Sequence, residues 1–223
     1  MIHQVSRIAA AVAVLGTLGT AQAALVTSDA GYAGPFIDLS SRVGIGYGFT
    51  YGPVALPGMT FTRDNTPNNS GLGAVLGQGG YGLASNGSFG GSATYAGLDG
   101  RTGFMHFALT GGPVSSFGAY LNYAPGFGDA PTIQVFGLGG VVLETYDLSV
   151  SAPISTPSGF NAFAFRGIDR GTADIYGISF GGSYILATGT PNGNVVPEPG
   201  TYALMLAGLV GVGFVARRRA RKA

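Results

Sequence analysis

Ser116-Phe117-Gly118-Ala119-Tyr120-Leu121-Asn122-Tyr123 alternates strictly: Phe117, Ala119, Leu121 and Tyr123 fall on one side of an extended chain, Ser116, Gly118, Tyr120 and Asn122 on the other. Successive side chains of a strand point to opposite faces, so a period of two marks a β-strand with one face on a core. The same period recurs on both sides of this stretch. Met105, Phe107 and Leu109 alternate with His106, Ala108 and Thr110, and Ile133 and Val135 with Thr132 and Gln134. Further runs cover Val141 to Leu148, Phe160 to Arg166 and Ala173 to Phe180. Between them stand Gly111-Gly112-Pro113, Ala124-Pro125-Gly126, Gly139-Gly140 and Pro157-Ser158-Gly159. Glycine supplies positive φ and proline presets φ, so these clusters turn the chain. Gly139-Gly140 predicts a tight hairpin between Val135-Phe136 and Val141-Val142. No central stretch keeps an apolar pattern of helical period over roughly eleven residues or more. Short strands separated by turns predict an all-β fold, a single β-sandwich or jelly-roll-like domain over residues 24–187.

The first half of that domain is less regular. Arg42 to Thr62 reads as one or two strands carrying Tyr47, Phe49, Tyr51 and Phe61. Gly71 to Gly100 holds eleven glycines in thirty residues, which weakens every strand there. Long loops on the sandwich and a partly mobile flap both stay open. Tyr81, Leu83, Phe89 and Tyr95 continue to supply apolar anchors, which argues against disorder. Residues 188–195 are small and polar and predict a linker.

The two ends differ in kind from the middle. His3 and Arg7 precede an apolar run from Ile8 to Leu18, and Ala21-Gln22-Ala23 follows. A basic segment, a short apolar run and a small-x-small site predict a secretory signal peptide over residues 1–23, cut after Ala23. Residues 196–223 begin Val196-Pro197-Glu198-Pro199-Gly200-Thr201. Fifteen uncharged residues follow, Tyr202 to Ala216, and then a basic tail, 217–223. A helix over 202–216 would span roughly 22 Å, short of the roughly 30 Å hydrocarbon core. Bilayer thinning and snorkelling arginines close that gap. Arg217, Arg218, Arg219, Arg221 and Lys222 would be poor neighbours for a soluble core but suit the cytoplasmic side of a membrane. The expectation is a C-terminal transmembrane helix, with Ala203, Ala207 and Gly211 as a small-residue stripe on one face. Pro197 and Pro199 hold the segment before it extended and available to an enzyme that binds extended peptide.

These C-terminal residues resemble the PEP-CTERM sorting signal of Gram-negative bacteria that make exopolysaccharide. The resemblance covers residues 196–223. It implies that Pro197, Glu198 and Pro199 are recognised by a membrane-embedded exosortase, which removes the tail. The precursor would sit in the inner membrane by its C-terminal helix, and the rest would be secreted or held at the cell surface. Exopolysaccharide in a biofilm or extracellular matrix would then be a candidate partner. The run from Phe117 to Gly126 and Ile175-Tyr176-Gly177-Ile178-Ser179-Phe180 are similar to sandwich domains placed ahead of that signal, which implies no defined activity.

Composition narrows the functions left. The precursor carries a formal charge of +1, but between Ala24 and Val196 five arginines stand against nine carboxylates, a net of −4, without a lysine. Such a body does not suit nucleic acid or anionic lipid. The chain has no cysteine, hence neither disulfide nor thiolate chemistry. Gly77-Gln78-Gly79-Gly80-Tyr81-Gly82 matches GxGxxG but opens no helix, and no GxSxG occurs. His106 is the one histidine of the exported part and is expected as a solvent-face or a satisfied polar residue rather than a catalytic one; alone it builds no zinc site. Glu144 and Asp147 could form an acid/base pair across a sugar bond, but three residues apart on a strand they diverge. Asp64 to Ser70 and Asp169 to Asp174 offer oxygen ligands, read more simply as Asx turns. Tyr32, Tyr47, Tyr51, Tyr81, Tyr95, Tyr120 and Tyr123 could form a sugar-stacking platform or serve as half-buried sheet residues. The expectation is a structural or weak carbohydrate-binding protein, not an enzyme, without cofactor or metal. The alternative is a secreted glycan hydrolase using Asp and Glu.

Overall fold

The computed structural model describes residues 23–64 and 74–194, together with 208–210 and 212. In order come β1 (Ala24–Val26), β2 (Gly48–Thr50), β3 (Val54–Leu56), β4 (Met59–Arg63), β5 (Ala74–Gln78), β6 (Tyr81–Gly82), β7 (Ser88–Phe89) and β8 (Thr94–Leu98). Then follow β9 (Phe104–Leu109), β10 (Ser116–Asn122), β11 (Thr132–Phe136), β12 (Val142–Asp147), α1 (Leu148–Ser151), β13 (Ala164–Asp169), β14 (Gly177–Gly181) and β15 (Leu186–Thr188). One sheet has seven strands in the order β1-β13-β10-β15-β8-β5-β2. The other has six, β12-β11-β14-β9-β4-β3, and β6 and β7 form a small hairpin of their own. Neighbouring strands in both sheets run antiparallel.

The two sheets bury one core between them. Phe61, Met105, Phe107, Ile133, Val135, Ile178 and Phe180 come from the six-stranded sheet, and Leu98, Phe117, Ala119, Leu121 and Ile168 from the seven-stranded one. Phe107 is central to it, with ring centroids 5.3 Å from Phe61 and 5.9 Å from Phe180. Each fully buried side chain of this size stabilises by about 1.5–3 kcal/mol. The alternation at Phe117 to Tyr123 therefore points its apolar side inward as the sequence predicts.

Its other side is buried too, which alternation alone does not foresee. All seven residues of β10 are buried. Val75, Tyr95, Tyr120, Phe165 and Leu186 form a second core on the outer face of the seven-stranded sheet, beneath Leu83, Phe89, Ala93 and Phe163. The glycine-rich stretch supplies both sheet and cover: β5 and β8 are full strands, and the β6–β7 hairpin lies between them. Gly97 shows why glycine serves there, since a Cβ would run into the Leu186 side chain and come within 2.9 Å of Val75 Cγ2.

A buried polar knot pins this cover. Asn86 Nδ2 donates to Asn122 Oδ1, Tyr123 O and Ile154 O, and Asn86 Oδ1 accepts from Thr156 N. Asn122 Nδ2 donates in turn to Thr156 Oγ1 and Ala162 O. Irregular backbone can be buried only when its polar groups are paired in this way.

Several boundaries differ from the sequence reading. Arg42 to Thr62 contributes three strands rather than one or two. β13 starts at Ala164, because Asn161 takes φ 50° and leaves Phe160 69% exposed. Gly139 and Gly140 do adopt positive φ, but the hairpin loop closes from Gly137 N to Val141 O at 2.8 Å, wider than a two-residue turn. Packing also continues into 188–195: Thr188 is buried in β15, and Gly193 O accepts from Thr94 N.

Residues 1–22 of the expected signal peptide, Ala21 included, lie outside the described residues, as do Pro197, Glu198 and Pro199. So do Arg217, Arg218, Arg219, Arg221 and Lys222. Within the expected helix 202–216, residues 208–210 and 212 are helical. Among the described residues no helix is long and apolar enough to cross a membrane.

Candidate functional site

No segment among the described residues covers the outer face of the six-stranded sheet. Register fixes what it displays. Thr145, Gln134, Ser179, His106 and Thr62 stand opposite one another on β12, β11, β14, β9 and β4, a polar row across five strands. Phe136 lies beside it on the row through Gly177, and Phe104 on the row through Gly181. Both rings lie over glycine: a Cβ on Gly177 would strike the Phe136 ring, and one on Gly181 would come within 2.6 Å of Phe104 Cδ1. The two phenyl rings thus flank a strip of hydroxyl, amide and imidazole groups that is partly exposed except at the buried Ser179.

Three members of the face are linked. His106 Nδ1 is 2.7 Å from Ser179 Oγ, and His106 Nε2 is 2.8 Å from Asp64 Oδ1. Asp64 Oδ2 accepts from Phe104 N at 3.1 Å. Serine, histidine and aspartate in that order suggest a hydrolase triad, but the nitrogens are exchanged relative to that arrangement. Ser179 is also only 1% exposed, out of reach of a substrate carbonyl. The chain of bonds ties β14 and β9 to the residue after β4, and so braces the face. Alternation places His106 outward, but nothing in sequence spacing pairs it with Ser179 or Asp64.

The other expected sites come apart. Glu144 accepts from Arg170, whose guanidinium also binds Asp174. The hydrogen bond to Asp174 is the main cause raising the Arg170 pKa, against a smaller effect of burial. Asp147 lies on the opposite side of β12 and caps α1, accepting from Ser149 N at 2.8 Å. Asp169 accepts from Gly171 N in an Asx turn, and no group of three or more histidine, aspartate or glutamate side chains is placed to hold a metal ion among the described residues. Asn65 to Ser70 lie outside the described residues.

The seven tyrosines do not make one platform. Tyr95, Tyr120 and Tyr123 are buried, and Tyr32 and Tyr81 pack against the second core. Burial raises the pKa of Tyr32, Tyr81 and Tyr95; for Tyr81 the hydrogen bond to Asp99 adds to it. Tyr120 is pushed up to about 12, by burial first and then by its hydrogen bond to Asp29. Tyr47 and Tyr51 alone of the seven stay 38% and 49% exposed, on the edge of the seven-stranded sheet.

Residues 195–219 match the PEP-CTERM protein-sorting motif. The chain therefore carries the sorting signal of an exosortase-processed, exported protein, with its processing partner in the membrane. Comparison with curated proteins and with solved structures gave no match.

Proposed function

We propose that the sandwich works outside the cell, in the extracellular matrix or at the surface, as a non-enzymatic structural and weak carbohydrate-binding protein. Its glycan contact is the bare face of the six-stranded sheet. The observation that carries this reading is the polar row from Thr145 to Thr62 flanked by Phe104 and Phe136. Aromatic rings offer apolar faces to sugar C–H groups, while hydroxyls and amides beside them take the sugar hydroxyls. Two phenyl rings without a tryptophan make such binding weak. Exopolysaccharide from exosortase-bearing cells is the ligand class this fits. The hydrolase alternative draws no support from Glu144 or Asp147, one held by Arg170 and the other capping α1.

The test is retention of the exported protein on a glycan array and on immobilised exopolysaccharide. Phe104→Ala with Phe136→Ala should lower retention at least tenfold while the unfolding midpoint moves little. Retention unchanged in the double variant would remove the face from the proposal. Release of shortened sugars, lost on Glu144→Gln, would favour the hydrolase instead.

A further inference from the structure

The seven-stranded sheet ends on β2, whose outer edge has no partner among the described residues. Leading into and along this edge, every second residue is large and apolar. Val43, Ile45, Tyr47, Phe49 and Tyr51 are each between 38% and 49% exposed. Gly46 and Gly48 take alternate positions, and a Cβ on either would meet nothing within 4 Å. Packing inside the described fold therefore does not require glycine there. A strand glycine without an internal reason marks a place where another backbone can come close.

Protein sheets protect their edges with charge, proline or cover. β12 carries Glu144 and Asp147, and β3 stands between Pro53 and Pro57. From Val43 to Thr62 there is no charge at all, and β2 contains no proline.

We infer that β2 is a self-association seam, where it pairs antiparallel with β2 of a second copy across a two-fold axis at Gly48. The strand is its own complement in that register. Tyr47 faces Phe49, Ile45 faces Tyr51, and Gly46 faces Thr50, so large meets large and small meets small. A one-residue slip would turn each apolar side chain to the wrong face. From Val43 to Tyr51 the seam carries no charged side chain of its own; the Arg63 cation lies over the Tyr51 ring at the end of the stripe, away from the axis at Gly48, so like copies do not repel at the centre of the contact. A glycan fits it less well, because Thr50 and two phenol hydroxyls are the only polar side-chain groups from Val43 to Tyr51. With about 150–250 Å² on each aromatic side chain and half of it exposed, the stripe would bury roughly 900 Å² over both copies. That is below the ~1,200 Å² of a standard interface, so the dimer is reversible and concentration-dependent.

The chain has no cysteine, which makes crosslinking clean. In the full chain, Gly48→Cys should give a disulfide-linked dimer under mild oxidant, at least tenfold faster than Thr145→Cys on β12, an edge strand of the other sheet. By sedimentation velocity the parent should shift toward dimer with rising concentration, while Phe49→Lys stays monomeric with an unchanged circular dichroism spectrum. Every variant keeps the C-terminal apolar segment, so its own association cancels in the comparison. Crosslinking of Gly48→Cys no faster than Thr145→Cys, or Phe49→Lys sedimenting as the parent does, would overturn the seam. A parent that stays monomeric while Phe49→Lys loses retention on polysaccharide would overturn it too, and make the stripe a glycan contact.

Discussion

The outer faces of the two sheets meet their surroundings in opposite ways. The seven-stranded sheet lies under Leu83, Phe89 and Phe163, with Tyr95, Tyr120 and Phe165 beneath them. The six-stranded sheet presents Gln134, His106 and Thr62 between two partly exposed rings, with no cover among the described residues. One face adds a second core; the other stays free for contact. The cover on the seven-stranded sheet comes from residues between β5 and β8 and just before β13, where Leu83, Phe89, Ala93 and Phe163 lie.

Substitution should expose that contrast most at the covered face. Phe165→Ala is expected to destabilise by about 3–5 kcal/mol, read as a shift of the urea midpoint, against less than about 1 kcal/mol for Phe136→Ala on the bare face. Equal costs at the two sites would break the comparison. Asn86→Ala should follow at about 2–3 kcal/mol, because it leaves the acceptor Ile154 O and the donor Thr156 N without the partner they have in the fold. Limited proteolysis should then cut residues 81–93 before any other described segment; first cuts elsewhere would show that the knot does not hold the cover.

The mildest expectation concerns high pH. Tyr32, Tyr81, Tyr95 and Tyr120 all belong to the covered face, and all have pKa values raised above the ordinary value near 10. A raised folded-state pKa favours the neutral phenol. The stabilisation is complete below about pH 10 and is lost as pH climbs, through about 12 for Tyr120. Unfolding midpoints should fall across that window, and more shallowly in Tyr120→Phe. A midpoint that holds steady there would mean these phenols stay solvated in the fold.

What the sequence disclosed follows from the range of each signal. The period of two at Phe117 to Tyr123 is local, so the strand and its inward side could be read directly. The burial of Tyr120 and Asn122 depends on residues far along the chain, Phe165 and Asn86 among them, which no local period reveals. The eleven glycines from Gly71 to Gly100 weaken every strand read from sequence, yet Gly97 makes room for Leu186 within β8. His106 could be placed outward, but its partners Ser179 and Asp64 are 73 and 42 residues away. The sorting signal was legible because its chemistry is linear: Pro197-Glu198-Pro199, an apolar run and arginines in fixed order.

Intact mass of the chain recovered from outside exosortase-bearing cells tests delivery and processing most directly. The predicted mass lacks residues 1–23 and the segment beyond Pro197-Glu198-Pro199, and changing those three residues to Ala should leave the tail attached. An uncut chain of 22.4 kDa dissolved in the cytosol would contradict export and anchoring together.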